Sequence, residues 1–358
     1  MNTSLDTFAQ RRDALRDLLR RDGLPALLVS LAANRFYLSG FELHDGQCNE
    51  TSGWLVICAD GRDFLFTDPR FTDAAKRVWD ETGLFIYSGR KYDEIGAFLK
   101  GQGISAMGFE PRALHLYDHD KLREHAELTA ADGLVEELRV IKDEEEIQLM
   151  EASCALNHRV MRDVQERLRV GATEADVAWE VEKLFREGGA TSLSFSTIVG
   201  VGPNAALPHA QPGGDVIREN SLVLIDCGGR LHGYCSDQTR TFWVGDTPSD
   251  RFLKVRDQVR TAQKKAIAIL RPGLTFKEAY MAAWKSFDEE GVAAQFTHGL
   301  GHGVGLETHE PPRLSNFADG VLRPGMIVTV EPGLYAPDWG GVRWEHEVLI
   351  TQDGCRTL

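Results

Sequence analysis

Apolar residues recur at helical spacing near the start of the chain, where Phe8, Leu15, Leu18 and Leu19 share a face and Gly23 supplies a C-terminal cap. A first helix is expected there. Five short apolar or alternating runs follow, ALLVSL, FYLSGF, GWLVIC, DFLFTD and LFIYSG, separated by turn residues, with a helical stretch around Tyr92 to Lys100. This pattern predicts a small mixed α/β domain. From Asp143 the period changes: Ile147, Met150, Cys154, Met161, Val164 and Leu168 mark one face of a long helix, after a polar, acidic stretch around Ala130 to Glu137. The boundary is therefore placed at Glu136, with one domain over 1–136 and a second over 137–358.

The second domain repeats itself. Leu168, Arg169, Gly171, Thr173, Asp176, Phe185 and Glu187 recur 102 residues later as Leu270, Arg271, Gly273, Thr275, Glu278, Phe287 and Glu289. In each copy a Thr is followed three residues on by a carboxylate, the capping box that opens a helix by satisfying its free N–H groups. Further along, RENSLVLIDCG aligns with RPGMIVTVEPG, setting Asp226 against Glu331, and PHAQP aligns with THEPP, setting His209 against His309. The expected class is α+β, a pseudo-symmetric domain whose halves each supply a capped helix, a His-Pro segment and a carboxylate-ended strand.

Those strands carry chemistry. In LVLIDCGGRLHGYCSDQTRTFWV two β-type runs flank a Gly-containing turn. Folding back about Leu231 and His232 sets Asp226 directly opposite Asp237, with Cβ atoms about 4.5–5.5 Å apart. In VTVEPGLYAPDWGGVRWEHEVLI a turn centred on Asp338 sets Glu331 opposite Glu345. Two facing acidic pairs in a protected interior repel unless cations neutralise them. Four carboxylates with one or two histidines make a hard ligand set suited to Mn(II), with Co(II) or Zn(II) admitted by affinity. The nitrogen ligand is expected from THGLGHGVGLETHEPP, where His298, His302 and His309 cluster among glycines.

Composition narrows the partners. The formal charge of −14 opposes attraction to nucleic acid or anionic lipid, so an anionic substrate group has to be captured by a locally placed Arg. The N-terminus is polar, and nowhere do about 18 apolar residues run together, so a cytoplasmic protein without membrane association is expected. Six cysteines without C-x-x-C spacing read as reduced thiols.

On these residues, Arg139 to Thr351 resembles the pita-bread metallopeptidases, which include prolidase, aminopeptidase P and methionine aminopeptidase. The resemblance implies two divalent ions held by Asp226, Asp237, His302, Glu331 and Glu345, with Asp237 and Glu345 bridging them, a shared hydroxide as nucleophile, and a homodimer. It implies that His209 and His309 contact the substrate and the tetrahedral intermediate, that Glu331 shuttles a proton, and that Arg343 supports the bridging carboxylates. His298 and Tyr335 are assigned with Arg343 to the substrate side. The segment from RRDALRDLL through FYLSGF is similar to the domain that prolidases, aminopeptidases P and creatinases carry ahead of the catalytic one; methionine aminopeptidases lack it. HEPPR is closer to prolidase, making Arg313 the grip for the C-terminal carboxylate of a short peptide. The resemblance thus implies hydrolysis of Xaa-Pro dipeptides, with aminopeptidase P-like or carboxypeptidase action on longer peptides as the alternative. The intact ligand set argues against a metal-free creatinase and against a non-catalytic peptide-binding module. Two departures stand out: His346 follows Glu345 and should point away from the metal face, and the polar loop from Glu42 to Trp54 could reshape substrate choice.

Overall fold

A computed structural model describes residues 4–45 and 50–358. Residues 46–49, the middle of the polar Glu42 to Trp54 loop and the position of Cys48, lie outside the described residues. The chain divides into two compact units, 2–139 and 140–358.

The first unit is a six-stranded sheet in the order Leu84–Ile86, Asp63–Thr67, Trp54–Cys58, Ala26–Val29, Ala106–Phe109, Glu127–Ala130. Neighbours run parallel except at Trp54–Cys58, which is antiparallel to both of its partners. The opening helix forms as expected over Leu5–Arg21, capped by Ser4. The FYLSGF run belongs instead to a helix, Ala32–Ser39, ended by Gly40 at φ 72°. Six of its eight residues are buried, Asn34 and Arg35 among them, an outcome that a six-residue apolar run does not distinguish from a strand.

In the second unit the long helix spans Glu144–Arg167, opened by an Asp143/Glu146 capping box. Both repeat capping boxes form: Thr173 with Asp176 opens Glu174–Glu187, and Thr275 with Glu278 opens Phe276–Asp288. Each capping threonine also makes an isolated antiparallel bridge, Thr173 to Val216 and Thr275 to Val321, so the halves repeat in hydrogen bonding as well as in sequence. Strand Ser221–Cys227 lies between Ile198–Val201 and Gln238–Val244, antiparallel to both. The corresponding strand of the second half, Ile327–Val330, lies in a five-stranded sheet between Gly301–Gly303 and His346–Ile350, again antiparallel.

Alternation along Ser221–Cys227 positions the first carboxylate. Val223, Ile225 and Cys227 pack into an apolar cluster with Val181 and Phe185, whereas Leu222 and Leu224 enter the other core with Phe252 and Val328. Asp226 is the next residue on the Leu222 and Leu224 face. In Ile327–Val330, Val328 and Val330 point into the core, so Thr329 and then Glu331 fall on the opposite face.

Candidate metal centre

The second hairpin turns about Asp338. Gly333 pairs with Arg343 and Val330 with His346, which brings Glu331 and Glu345 level across the ribbon. The first hairpin corrects the sequence reading. It pivots on His232 and Gly233, both at positive φ (52° and 90°), as a tight two-residue turn requires. Asp226 therefore faces Thr239, and Asp237 is its diagonal neighbour. Moving a pivot by one residue moves every partner by two, which preserves the face, so both aspartates still point the same way.

Oxygens of Asp237 and Glu345 and a nitrogen of His302 converge within 4.8 Å of one another. His302 Nε2 stands 3.6 Å from Asp237 Oδ2 and 3.3 Å from Glu331 Oε1. Its Nδ1–H donates to the Gly303 carbonyl at 3.0 Å, leaving Nε2 as the lone-pair nitrogen facing the carboxylates. Burial, then the charges of Glu345 and Asp226, push the Asp237 carboxyl well above the usual range. Burial followed by Glu331 does the same to Glu345, and burial raises Glu331. Asp226 Oδ1 and Glu345 Oε1 are buried and find no hydrogen-bond donor among the described residues. Paired oxygens of this kind, beside a lone-pair imidazole nitrogen, fit divalent cations.

The remaining oxygens are tied down. Glu345 Oε2 accepts from the Thr239 hydroxyl at 2.7 Å, and Thr239 accepts from Arg343 Nε at 3.0 Å. Arg343 Nη2 donates to Asp226 Oδ2 at 2.6 Å and Nη1 donates to the Tyr335 hydroxyl at 2.9 Å. Tyr335 in turn meets His298 Nε2 at 2.9 Å. Arg343 is buried, and although burial works against its charge, Asp226 and Glu331 hold the guanidinium charged. Burial also pushes the Tyr335 phenol up to about 12, so it remains a neutral donor. Glu331 and the His302 amide share the Thr329 hydroxyl, at 3.1 and 3.0 Å.

A cavity of about 550 Å3 opens onto this cluster. His209, His298, His302, His309, Arg313, Glu331 and Arg343 line it, with Phe195, Ile198 and Pro208 as an apolar wall. Tyr335 stays out of that lining and acts through Arg343 and His298. The His309 ring packs edge-on against His302, centroids 4.1 Å apart. Burial, then His302 and Arg313, lower its pKa to about 4, so it is a neutral imidazole near pH 7. His346 points away, its Nδ1 to Gln263 and its Nε2 to Arg240. Thr239, Thr329 and Phe195 were not singled out by the sequence reading; for Thr239 the available signal was its position two residues after Asp237, on the same strand face.

A family model described as metallopeptidase family M24 matches residues 148–352, and one described as the creatinase/prolidase N-terminal domain matches 11–141. The chain belongs to metallopeptidase family M24. It is 32% identical to the Xaa-Pro dipeptidase of Pyrococcus horikoshii over 99% of this chain and 98% of that one. The solved Xaa-Pro dipeptidase from Bacillus anthracis superposes with a TM-score of 0.90 at 34% identity, covering 98% and 97% of the two chains. An X-Pro aminopeptidase from Thermotoga maritima superposes at 0.86 and 29% identity, covering 97% and 96%. In this metallopeptidase, no helix among the described residues is long and apolar enough to cross a membrane.

Proposed function

We propose that this M24 enzyme is a two-metal peptidase acting on short peptides, Xaa-Pro dipeptides foremost, with Asp226, Asp237, His302, Glu331 and Glu345 as ligands of two divalent ions. The observation that carries the reading is the pair of buried carboxylate oxygens, Asp226 Oδ1 and Glu345 Oε1, that lack a donor among the described residues. The hard oxygen set favours Mn(II), with Co(II) or Zn(II) as alternatives. When bound, the ions supply Lewis acidity and lower the pKa of a water.

The chain's own residues do the rest. Arg313 grips the C-terminal carboxylate of the peptide by a charge-assisted pair. His309, neutral near pH 7, donates to the oxygen on which charge develops, and His209 orients the peptide. Glu331 passes a proton to the leaving amine. Arg343 and Thr239 hold Asp226 and Glu345 in place, so no reorganisation is required as the reaction proceeds. The homodimer and the cytoplasmic setting implied by the resemblance belong to this proposal; sedimentation and cell fractionation test them.

Product analysis by mass spectrometry, after Mn(II)-loaded protein meets Ala-Pro, a longer Xaa-Pro-Yaa peptide and a proline-free peptide, tests the activity. Cleavage of Ala-Pro alone is the expected result. Release of terminal residues from the longer peptides reassigns the enzyme to aminopeptidase or carboxypeptidase action, and no cleavage overturns the reading.

A further inference from the structure

Glu347 is a further carboxylate buried beside the proposed ligands, and the reading above gives it no part. It stands in strand His346–Ile350 opposite Thr329, two residues after Glu345 and so on the same face, while Val348 and Ile350 turn into the core. It is 4% exposed. Both of its oxygens are engaged: Oε1 accepts from the Asp237 amide and Oε2 from the Cys154 thiol. A carboxylate this close to Asp237 and Glu345 adds to the repulsion among them, so its place is costly unless its acceptor oxygens serve the site.

The local chain shows why that amide needs an acceptor. Arg230 pairs with Cys235 in one ladder and Cys227 with Gln238 in the next, so Ser236 and Asp237 fall in the step between two sheets, outside both strands. The backbone is crowded there: a Cβ on Gly228 would stand 1.8 Å from the Ser236 carbonyl oxygen, so only glycine fits opposite. A buried N–H left without a partner at such a step costs about as much as a lost hydrogen bond, and a carboxylate is its strongest acceptor. The long helix Glu144–Arg167 braces the same step from the first half. Ser153 donates to the carbonyls of Gly229 and Tyr234 at 3.0 and 3.1 Å, and Asn157 donates to that of Cys227 at 2.9 Å. Cys154, beside Ser153 on that helix, orients Glu347, which reaches the step from the second half.

We infer that Glu347 is a positioning residue for the metal centre: by holding the Asp237 main chain it aims the Asp237 carboxylate at the ions. This deepens the two-metal reading and rests on it. Glu347 does not line the cavity and acts through Asp237 alone.

The test is calorimetric titration of metal-free protein with Mn(II), in the wild type, E347Q and E347L. Gln keeps an acceptor for the Asp237 amide without the charge, whereas Leu keeps the bulk and removes both. E347L should bind Mn(II) about 10–100-fold more weakly, the range for partners that orient ligands, with E347Q near the wild type. Because the defect lies in ion binding, turnover of Ala-Pro by E347L should recover as Mn(II) is raised. Equal weakening in the two variants would assign the effect to charge and overturn the inference. Hydrogen exchange at the Asp237 amide of the metal-free wild type needs no variant: protection is expected, and exchange as fast as at the exposed Asp246–Thr247 step overturns the inference as well. Wild type that takes up no Mn(II) sinks the two-metal reading and this inference with it. Wild type that binds Mn(II), with E347L binding it as tightly, sinks this inference alone.

Discussion

The Thr239 hydroxyl donates to Glu345 and accepts from Arg343, so it links a carboxylate of one hairpin to the arginine that holds Asp226 of the other. Thr239→Val keeps the shape and removes both bonds. Metal affinity measured by calorimetric titration should fall about 10–100-fold while the fold is retained, because partners that orient ligands are worth that much. His309→Ala should do the reverse, leaving metal content near that of the wild type and lowering turnover about 10²–10⁴-fold, the range for one acid-base group. Unchanged turnover would remove His309 from the catalytic set. The four carboxylates stood out in sequence because acidic residues at the ends of apolar strands are unusual, whereas the choice of His302 among three clustered histidines came only with the family resemblance. Thr239 did not, since threonine is what a strand favours anyway.

At the level of elements, the capping boxes and strand alternation could be read directly, because both are local. The first hairpin's register could not, since His232 at φ 52° is a non-glycine residue adopting the conformation more readily assigned to Gly. Hydrophobic pattern alone tolerates a two-residue slip, which keeps the same face buried, and this is why the aspartates were brought to one site from the wrong register. The start of strand His346–Ile350 carries a separate consequence. Burial, then Arg240 and His158, lower the His346 pKa from 6.5 to about 3. The unfolded chain takes up a proton near 6.5 that the folded chain refuses, so this stability is present above that pH and is lost as pH falls toward 3, by up to about 1.4 kcal/mol per pH unit. Thermal melting between pH 6.5 and 4.5 should show a shallower decline in His346→Gln; an unchanged slope would place the acid sensitivity elsewhere.

For the whole molecule, the ion requirement and the stability are coupled. Without metal, Asp237 and Glu345 hold protons well above the usual carboxylate range, chiefly because they are buried. The metal-free fold binds protons that the unfolded chain has released, so its stability is fully present at low pH and is lost as pH rises through those raised values. Chelation should therefore lower Tm more at pH 8.5 than at pH 6, and Mn(II) should restore it at the higher pH. Calorimetry checks this, and an equal drop at both values would mean that carboxylate repulsion is not what the ions relieve. The two-unit organisation follows from composition shifts and period changes, which the chain displays openly. The Ala32–Ser39 helix does not, because short apolar runs acquire their conformation from what they pack against.

The duplicated architecture divides the proposed ligands unevenly. Asp226 and Asp237 precede the exposed Asp246–Thr247 step, whereas His302, Glu331 and Glu345 follow it, and one core draws Leu222 and Leu224 from the first half and Phe252 and Val328 from the second. A chain severed at that step would yield two polypeptides, neither with a full coordination shell, that share a broken interior. Mixed together, they should recover ion binding only as they reassociate, so that bound Mn(II) becomes a stoichiometric gauge of the union of the two halves.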